Sequence, residues 1–151
     1  MDGARSKDLK REGAGMLFFC QEDSTILLLK RSYGVNEPGT WGTSGGYAKS
    51  ADLNPFHTAQ RESLEEMGAL PDIQDIWKTF VFNNANFQYT THIVILSKKE
   101  KDDWSRSIRL NWENDDAQWF NIENLPKNLH FGIHPIINCY FSSYHKLLHP
   151  H

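Results

Sequence analysis

Cysteine is scarce in this chain: two residues in 151 cannot build the disulfide framework of a small secreted domain. Cys20 lies inside an apolar run and Cys139 inside an amphipathic one, so both are expected to be buried, reduced thiols. Long apolar runs are missing too. Met16 to Cys20, Ile26 to Leu29 and Ile93 to Leu96 have strand length, against the roughly 20 residues of a membrane span, so no transmembrane helix is expected. Residues 1–12 alternate acids and bases and have no apolar h-region, which excludes a secretory signal there and leaves a cytoplasmic location as the expectation. Excess charge is also lacking: 16 Lys+Arg against 19 Asp+Glu give a formal −3, so no basic field exists to hold duplex nucleic acid. Repeats and low-complexity tracts are absent.

What the chain has is core material. Hydrophobic residues make up 39% and aromatic residues 13%, enough for one domain of ordinary size and too much for disorder. Residues 1–12 read as a flexible lead-in and 13–151 as a single domain. Met16–Gln21 and Ile26–Arg31 form a predicted hairpin, and Trp77–Phe82 with Phe87–Leu96 a second one around Asn83-Asn84. Residues 33–49, rich in Gly and Pro, are expected to be a loop of tight backbone geometry. Asn54 as cap, Pro55 in the first turn and Gly68 after Met67 delimit a helix over Pro55–Met67. Lys98–Lys101 followed by Asp102-Asp103 reads as a solvated loop. Ala117–Phe120 is a short strand, and Pro135 opens a tail helix with Ile136, Ile137, Tyr140, Phe141, Tyr144 and Leu148 on an apolar stripe. Strands interleaved with helices predict an α/β fold with a mixed sheet.

On the Pro55–Met67 helix, Glu62, Glu65 and Glu66 fall within an arc of about 100°. Phe56, Leu64 and Met67 fall opposite, so one face is expected to meet the core and the acidic face to turn away. Like charges at this spacing repel, and anions in the last turns oppose the helix dipole. A hard divalent cation would relieve both effects, because Mg²⁺ takes carboxylate oxygens, waters and substrate phosphates. A solvated acidic surface is the competing reading.

Gly46 to Ala69, GYAKSADLNPFHTAQRESLEEMGA, resembles the Nudix box, G-x5-E-x7-R-E-U-x-E-E-x-G-U, of the Nudix hydrolases. Arg61, Glu62, Glu65, Glu66 and Gly68 match its most specific half. Leu29-Lys30-Arg31 and Trp41 to Gly46 are similar to the family's approach to the box. Asp52 stands where the box has glutamate, one extra residue separates it from Arg61, Ser44 replaces a frequent proline, and Ser63 replaces a larger apolar residue. The Asn54-Pro55 restart is expected to let the extra residue lengthen the loop without rotating the glutamates.

The resemblance implies an α/β/α sandwich and a MutT-like pyrophosphohydrolase using Mg²⁺, with Mn²⁺ as possible substitute. Its substrate would be a nucleoside diphosphate derivative, most simply a nucleoside triphosphate, attacked by water at phosphorus. ADP-ribose, a nucleotide sugar or a dinucleoside polyphosphate are alternatives, as is a non-catalytic nucleotide-binding module; a monomer and a homodimer both fit. By the same resemblance Glu62, Glu65 and Glu66 bind the metal, Glu62 alternatively activates water, the Gly45 carbonyl completes the shell, and Gly46, which opens the box, contacts the substrate. Arg61 is expected to orient Glu65, four residues on. Glu113 is a candidate general base, with Asp115 and Asp116 as competitors. Arg31 would contact phosphate; Trp41, Phe82, Phe87 and Tyr89 could stack on a base, though core is the commoner use. The G-x-S-x-G of Gly42 to Gly46 lacks the helix that should follow a serine nucleophile at once. His130 and His134 are interrupted by Gly132 and Pro135 and do not make a zinc helix, and His145, His149 and His151 have no assigned role.

Overall fold

The computed structural model describes residues 10–142. In chain order the elements are β1 (Arg11–Cys20), β2 (Thr25–Arg31), β3 (Trp41–Gly42), β4 (Ser44–Tyr47), α1 (Pro55–Met67), β5 (Ile76–Asn83), β6 (Phe87–Leu96), α2 (Lys98–Ser105), β7 (Asn114–Asn121) and α3 (His134–Ile136), which runs on into a π-turn, Ile137–Phe141. The seven strands form one mixed sheet in the order β3-β2-β1-β6-β5, with β4 on β1 and β7 on β2. Both predicted hairpins are present and antiparallel. The central contact is parallel: β1 pairs with β6 from Arg11↔Phe87 to Cys20↔Leu96.

Strand alternation sends β1 residues to two cores. Ala14, Met16 and Phe18 join Leu27, Leu29, Ala59, Met67 and Trp104 on the side covered by α1 and α2. Leu17 and Phe19 join Ile26, Leu28, Trp41, Ile133, Ile136 and Phe141 on the tail side. The result is the expected three-layered α/β arrangement. No helix of the described residues is long and apolar enough to cross a membrane.

Several expectations need correction. Strands β3 and β4 arise inside the stretch read as a loop: β3 pairs with the end of β2, and β4 lies on β1 because Gly15 and Gly45 face each other across the ladder and no side chain keeps the two backbones apart. Residues 98–101 are helical, not a loop. Ser97 and Glu100 form a capping box, and Lys98 and Lys99 pair with Asp102 and Asp103 one turn on. The element has almost no apolar stripe: Trp104 and the buried Lys101 pack inward, with Lys101 Nζ 2.5 Å from Asp23 and 4.8 Å from the Trp119 ring centre. Cys139 is exposed, whereas Cys20 is buried and both are free thiols. The π-turn changes the angular step in the tail, so Cys139 leaves the stripe that Ile136 and Phe141 keep. Residues 11 and 12 of the expected lead-in already belong to β1. Tyr144, Leu148, His145, His149 and His151 lie outside the described residues.

Candidate active site

Helix α1 starts and ends where its capping chemistry dictates. Asn54 Oδ1 accepts from His57 N at 2.9 Å, and Gly68, at φ 76°, donates its N–H to Leu64 O. The extra residue is therefore absorbed before the helix. Asp52 closes that loop onto α1: Lys49 N and Thr58 Oγ1 donate to Oδ2 at 2.9 and 2.8 Å, and Arg61 donates through Nε to Oδ1 at 3.0 Å and through Nη2 to Oδ2 at 2.9 Å. This two-pronged pair holds the Asp52 carboxyl well below the usual carboxylate range. Arg61 also reaches Glu65 at 3.4 Å and Glu62 at 3.5 Å. Its chief partner, however, is Asp52, nine residues back and off the helical spacing.

Of the residues expected on the core face of α1, Met67 and Phe56 pack there, while Leu64 does not and Glu66 of the acidic arc does. Thr58, Ala59, Ser63, Glu66 and Met67 are buried, whereas Leu64 is 50% exposed. Small residues at 59 and 63 let β1 and β4 approach. Ser63 and Ser44, two of the departures from the Nudix pattern, are hydrogen-bonded to each other at 2.7 Å in the interior. Gly46 passes so close beneath Glu62 that a Cβ there would lie 2.5 Å from the Glu62 carboxyl carbon. At Gly45, φ is 151° and a Cβ would strike Ala14 O at 2.5 Å as well as the Tyr89 hydroxyl, so only glycine fits.

Glu66 therefore faces inward, 4% exposed, and accepts from Gly45 N at Oε2 and from Asn114 Nδ2 at Oε1, both at 2.9 Å. Burial pushes its carboxyl up to about 8, against these two donors and with the charges of Glu113 and Glu62 adding to the rise. Burial and then Glu65 push Glu62 up, Arg61 opposing and Glu113 adding. Glu113, just before β7, thus joins the three box glutamates in one field. Its Oε1 accepts from Asn111 Nδ2 at 3.1 Å. Segment 109–114 is strapped to the end of α1: Arg109 N donates to Met67 O at 2.8 Å and Asn111 N to Glu66 O at 3.0 Å.

Arg31 ends β2 at the same strap. Its Nε donates to Asn36 O at 2.6 Å, and it pairs with Asn114 in the sheet. Trp41 is different: it is 8% exposed and edge-on to Phe120 in the tail-side core, a placement that does not fit the substrate contact expected of it. Tyr89 lies across Gly13 and Gly15. Burial pushes its hydroxyl well above the usual tyrosine range, Glu66 and Glu62 adding to the shift. Asn111, Asn114 and Tyr89 are the residues at the site that sequence reasoning missed or left unranked.

Among the described residues no three acidic, His or Cys side chains converge closely enough to cage an ion. The donor set nonetheless suits Mg²⁺, which takes one or two carboxylates and fills its shell with water and substrate phosphate. The electrostatics fit as well: burial first, and then neighbouring carboxylates, push Glu62 and Glu66 up, an effect that a cation would offset.

The sequence profile described as NUDIX domain matches residues 9–138. No curated protein is similar enough in sequence to match. Solved structures share the fold at low identity. One is a MutT NUDIX hydrolase from Burkholderia pseudomallei, 21% identical, covering 87% of this chain and 98% of its own, TM-score 0.63. A Caenorhabditis elegans Ap4A hydrolase in a binary complex is 18% identical, covers 91% and 92%, and gives 0.55. A bifunctional NMN adenylyltransferase/ADP-ribose pyrophosphatase from Francisella tularensis, bound to AMP and a Mn ion, is 14% identical, covers 90% and 42%, and gives 0.66. The chain belongs to the NUDIX family of pyrophosphohydrolases.

Proposed function

We propose that the protein is a Mg²⁺-dependent hydrolase, Mn²⁺ substituting, that cleaves the diphosphate linkage of a small nucleotide, with a nucleoside triphosphate as the leading substrate. The observation that carries this reading is the buried Glu66 carboxylate, fixed by the Gly45 N–H and the Asn114 amide, on the helix that also carries Glu62 and Glu65. Glu62, Glu65 and Glu66 would hold the cation, with Gly45 beside them. Gly45 touches Glu66 through its N–H, so that this N–H, rather than its carbonyl, is the group whose contact with the ligands is defined. When bound, the cation supplies charge neutralisation at phosphoryl oxygens and a more acidic water.

The remaining work belongs to the chain. Glu113, oriented by Asn111, takes the proton of the attacking water. Arg61, tied to Asp52, keeps Glu62 and Glu65 on the working face and leaves phosphate binding to Arg31, whose fork suits phosphate oxygens. Gly46 lets the backbone lie flat under Glu62. AMP and ADP-ribose chemistry among the fold's relatives supports a small nucleotide ligand. Two free thiols and nucleotide chemistry suit a cytoplasmic setting.

The test is release of phosphate and pyrophosphate from nucleoside triphosphates, dinucleoside polyphosphates, nucleotide sugars and ADP-ribose with Mg²⁺, for the native chain and Glu66→Gln. Turnover that falls at least about 100-fold in the variant is expected if the carboxylate serves the cation. Nucleotide binding by calorimetry without turnover on any of them would replace the hydrolase with a binding module.

A further inference from the structure

Strand β7 departs from regular pairing where it reaches the site. Leu27 faces Trp119 and Leu29 faces Ala117, all four on the α1 side of the sheet. Strict alternation would put Asp115 opposite Arg31 and turn its carboxylate toward Glu66. Instead the register slips between Lys30 and Arg31, so that Lys30 pairs with Asp116 and Arg31 with Asn114. Asp115 is the bulged residue, and the bulge re-aims the strand. A carboxamide thus occupies the place that a further carboxylate would have taken. Asn114 is 7% exposed, and its Nδ2 lies 2.9 Å from Glu66 Oε1.

We propose that Asn114 is a positioning residue for Glu66, delivered by the β7 bulge, and that with the Gly45 N–H it orients the carboxylate for the cation without neutralising it. Each carboxylate oxygen has two lone pairs. Gly45 engages one on Oε2 and Asn114 one on Oε1, which leaves one on each oxygen for other partners. A lysine or arginine in this place would also orient Glu66 but would compete with the cation; an amide donates and stays neutral. The strap bond from Asn111 N to Glu66 O ties the same segment to the backbone that carries the carboxylate, so one short stretch sets both the position and the rotation of Glu66.

The inference rests on Glu66 serving a cation, and the experiment separates the two. Mn²⁺ affinity is measured by electron paramagnetic resonance on the native chain, Asn114→Leu, Glu66→Gln and the double variant, with urea unfolding to verify the fold and kcat on the best substrate. Asn114→Leu keeps the volume and removes the donor, and is expected to weaken Mn²⁺ binding about 10- to 100-fold, as loss of an outer-shell partner does. In the Glu66→Gln background the same change should alter kcat by less than about threefold, because its only route of action is gone. Equal losses in both backgrounds, or native Mn²⁺ affinity in a folded Asn114→Leu while Glu66→Gln binds poorly, would overturn the positioning role. Unchanged Mn²⁺ affinity in Glu66→Gln would overturn the cation reading itself. Should Asn114→Leu fail to fold, Asn114→Ser, which shortens the donor beyond reach, carries the same expectations.

Discussion

Replacing Ser63 by alanine removes one hydroxyl from the interior and leaves another without a partner. Ser44 and Ser63 are 2% and 0% exposed, with 2.7 Å between their oxygens. A buried hydroxyl stripped of its hydrogen bond costs about 1–3 kcal/mol, so Ser63→Ala should lower stability by that amount, a fall in Tm of about 2–4 °C per kcal/mol for a chain of this size. Ser44→Ala should cost less, about 0.5–1.5 kcal/mol, because Ser63 sits in a helix and can turn its hydroxyl back to the carbonyl one turn earlier. Removing both hydroxyls leaves no orphan and only a small void, so the double variant should lie within about 1 kcal/mol of the native chain. The cycle therefore predicts a coupling of about 2–3 kcal/mol between the two sites. Urea unfolding of the four proteins, with slopes compared to verify a common unfolded state, reads it directly. Additive losses within about 0.5 kcal/mol would refute the claim that these two departures from the Nudix pattern compensate each other.

Two more expectations concern the backbone and acid. Gly45→Ala meets Ala14 O and the Gly15 Cα at a positive φ, so overpacking and strain of about 1–3 kcal/mol each should remove much of the fold's stability. Gly39→Ala, with a positive φ in open space, should cost only about 1–2 kcal/mol, and thermal melts in which both variants shift alike would sink the reasoning. Asp23 resists burial, which alone would raise its carboxyl, because Lys101 and Thr25 hold it down at about 2. A carboxyl lowered in the fold contributes stability above its ordinary value near 4 and loses it as pH falls toward 2. Asp23→Asn should thus cost about 2 kcal/mol at pH 7 and little near pH 2. A native-minus-variant difference that stays constant between pH 5 and 2.5 in urea midpoints would contradict it.

What was legible in the sequence was local. Asn54, Pro55 and Gly68 act within a turn of themselves, so α1 could be delimited residue by residue, and the hairpins followed from apolar runs flanking turn residues. The glutamate triplet was visible because helical spacing alone puts it on one arc. The inward turn of Glu66 was not, since it depends on Gly45 and on Asn114, 48 residues away. Arg61 was assigned by helical spacing to Glu65, whereas a loop aspartate outside the helix offers it two oxygens. Helix α2 escaped because a capping box and i,i+4 ion pairs, not an apolar stripe, hold it. Asn114 escaped most completely: which of residues 114 and 115 faces α1 depends on a bulge in cross-strand register, and no periodicity within β7 encodes it.

The parallel pairing of β1 with β6 has a consequence for how the chain is made. Gly15 and His92, which touch across that pair, are 77 residues apart. At about 5–20 residues per second of synthesis, β1 waits about 4–15 s for its main partner. Until then β1 is paired only with β2 at its last two residues and with β4 over Gly13 to Met16, and Leu17 and Phe19 lack the tail residues that later cover them. The glutamate helix emerges during this wait, but the strap that orients Glu66 follows later still. Losses to aggregation during synthesis should therefore concentrate in the interval before β6 emerges, and a chaperone that binds β1 should reduce them.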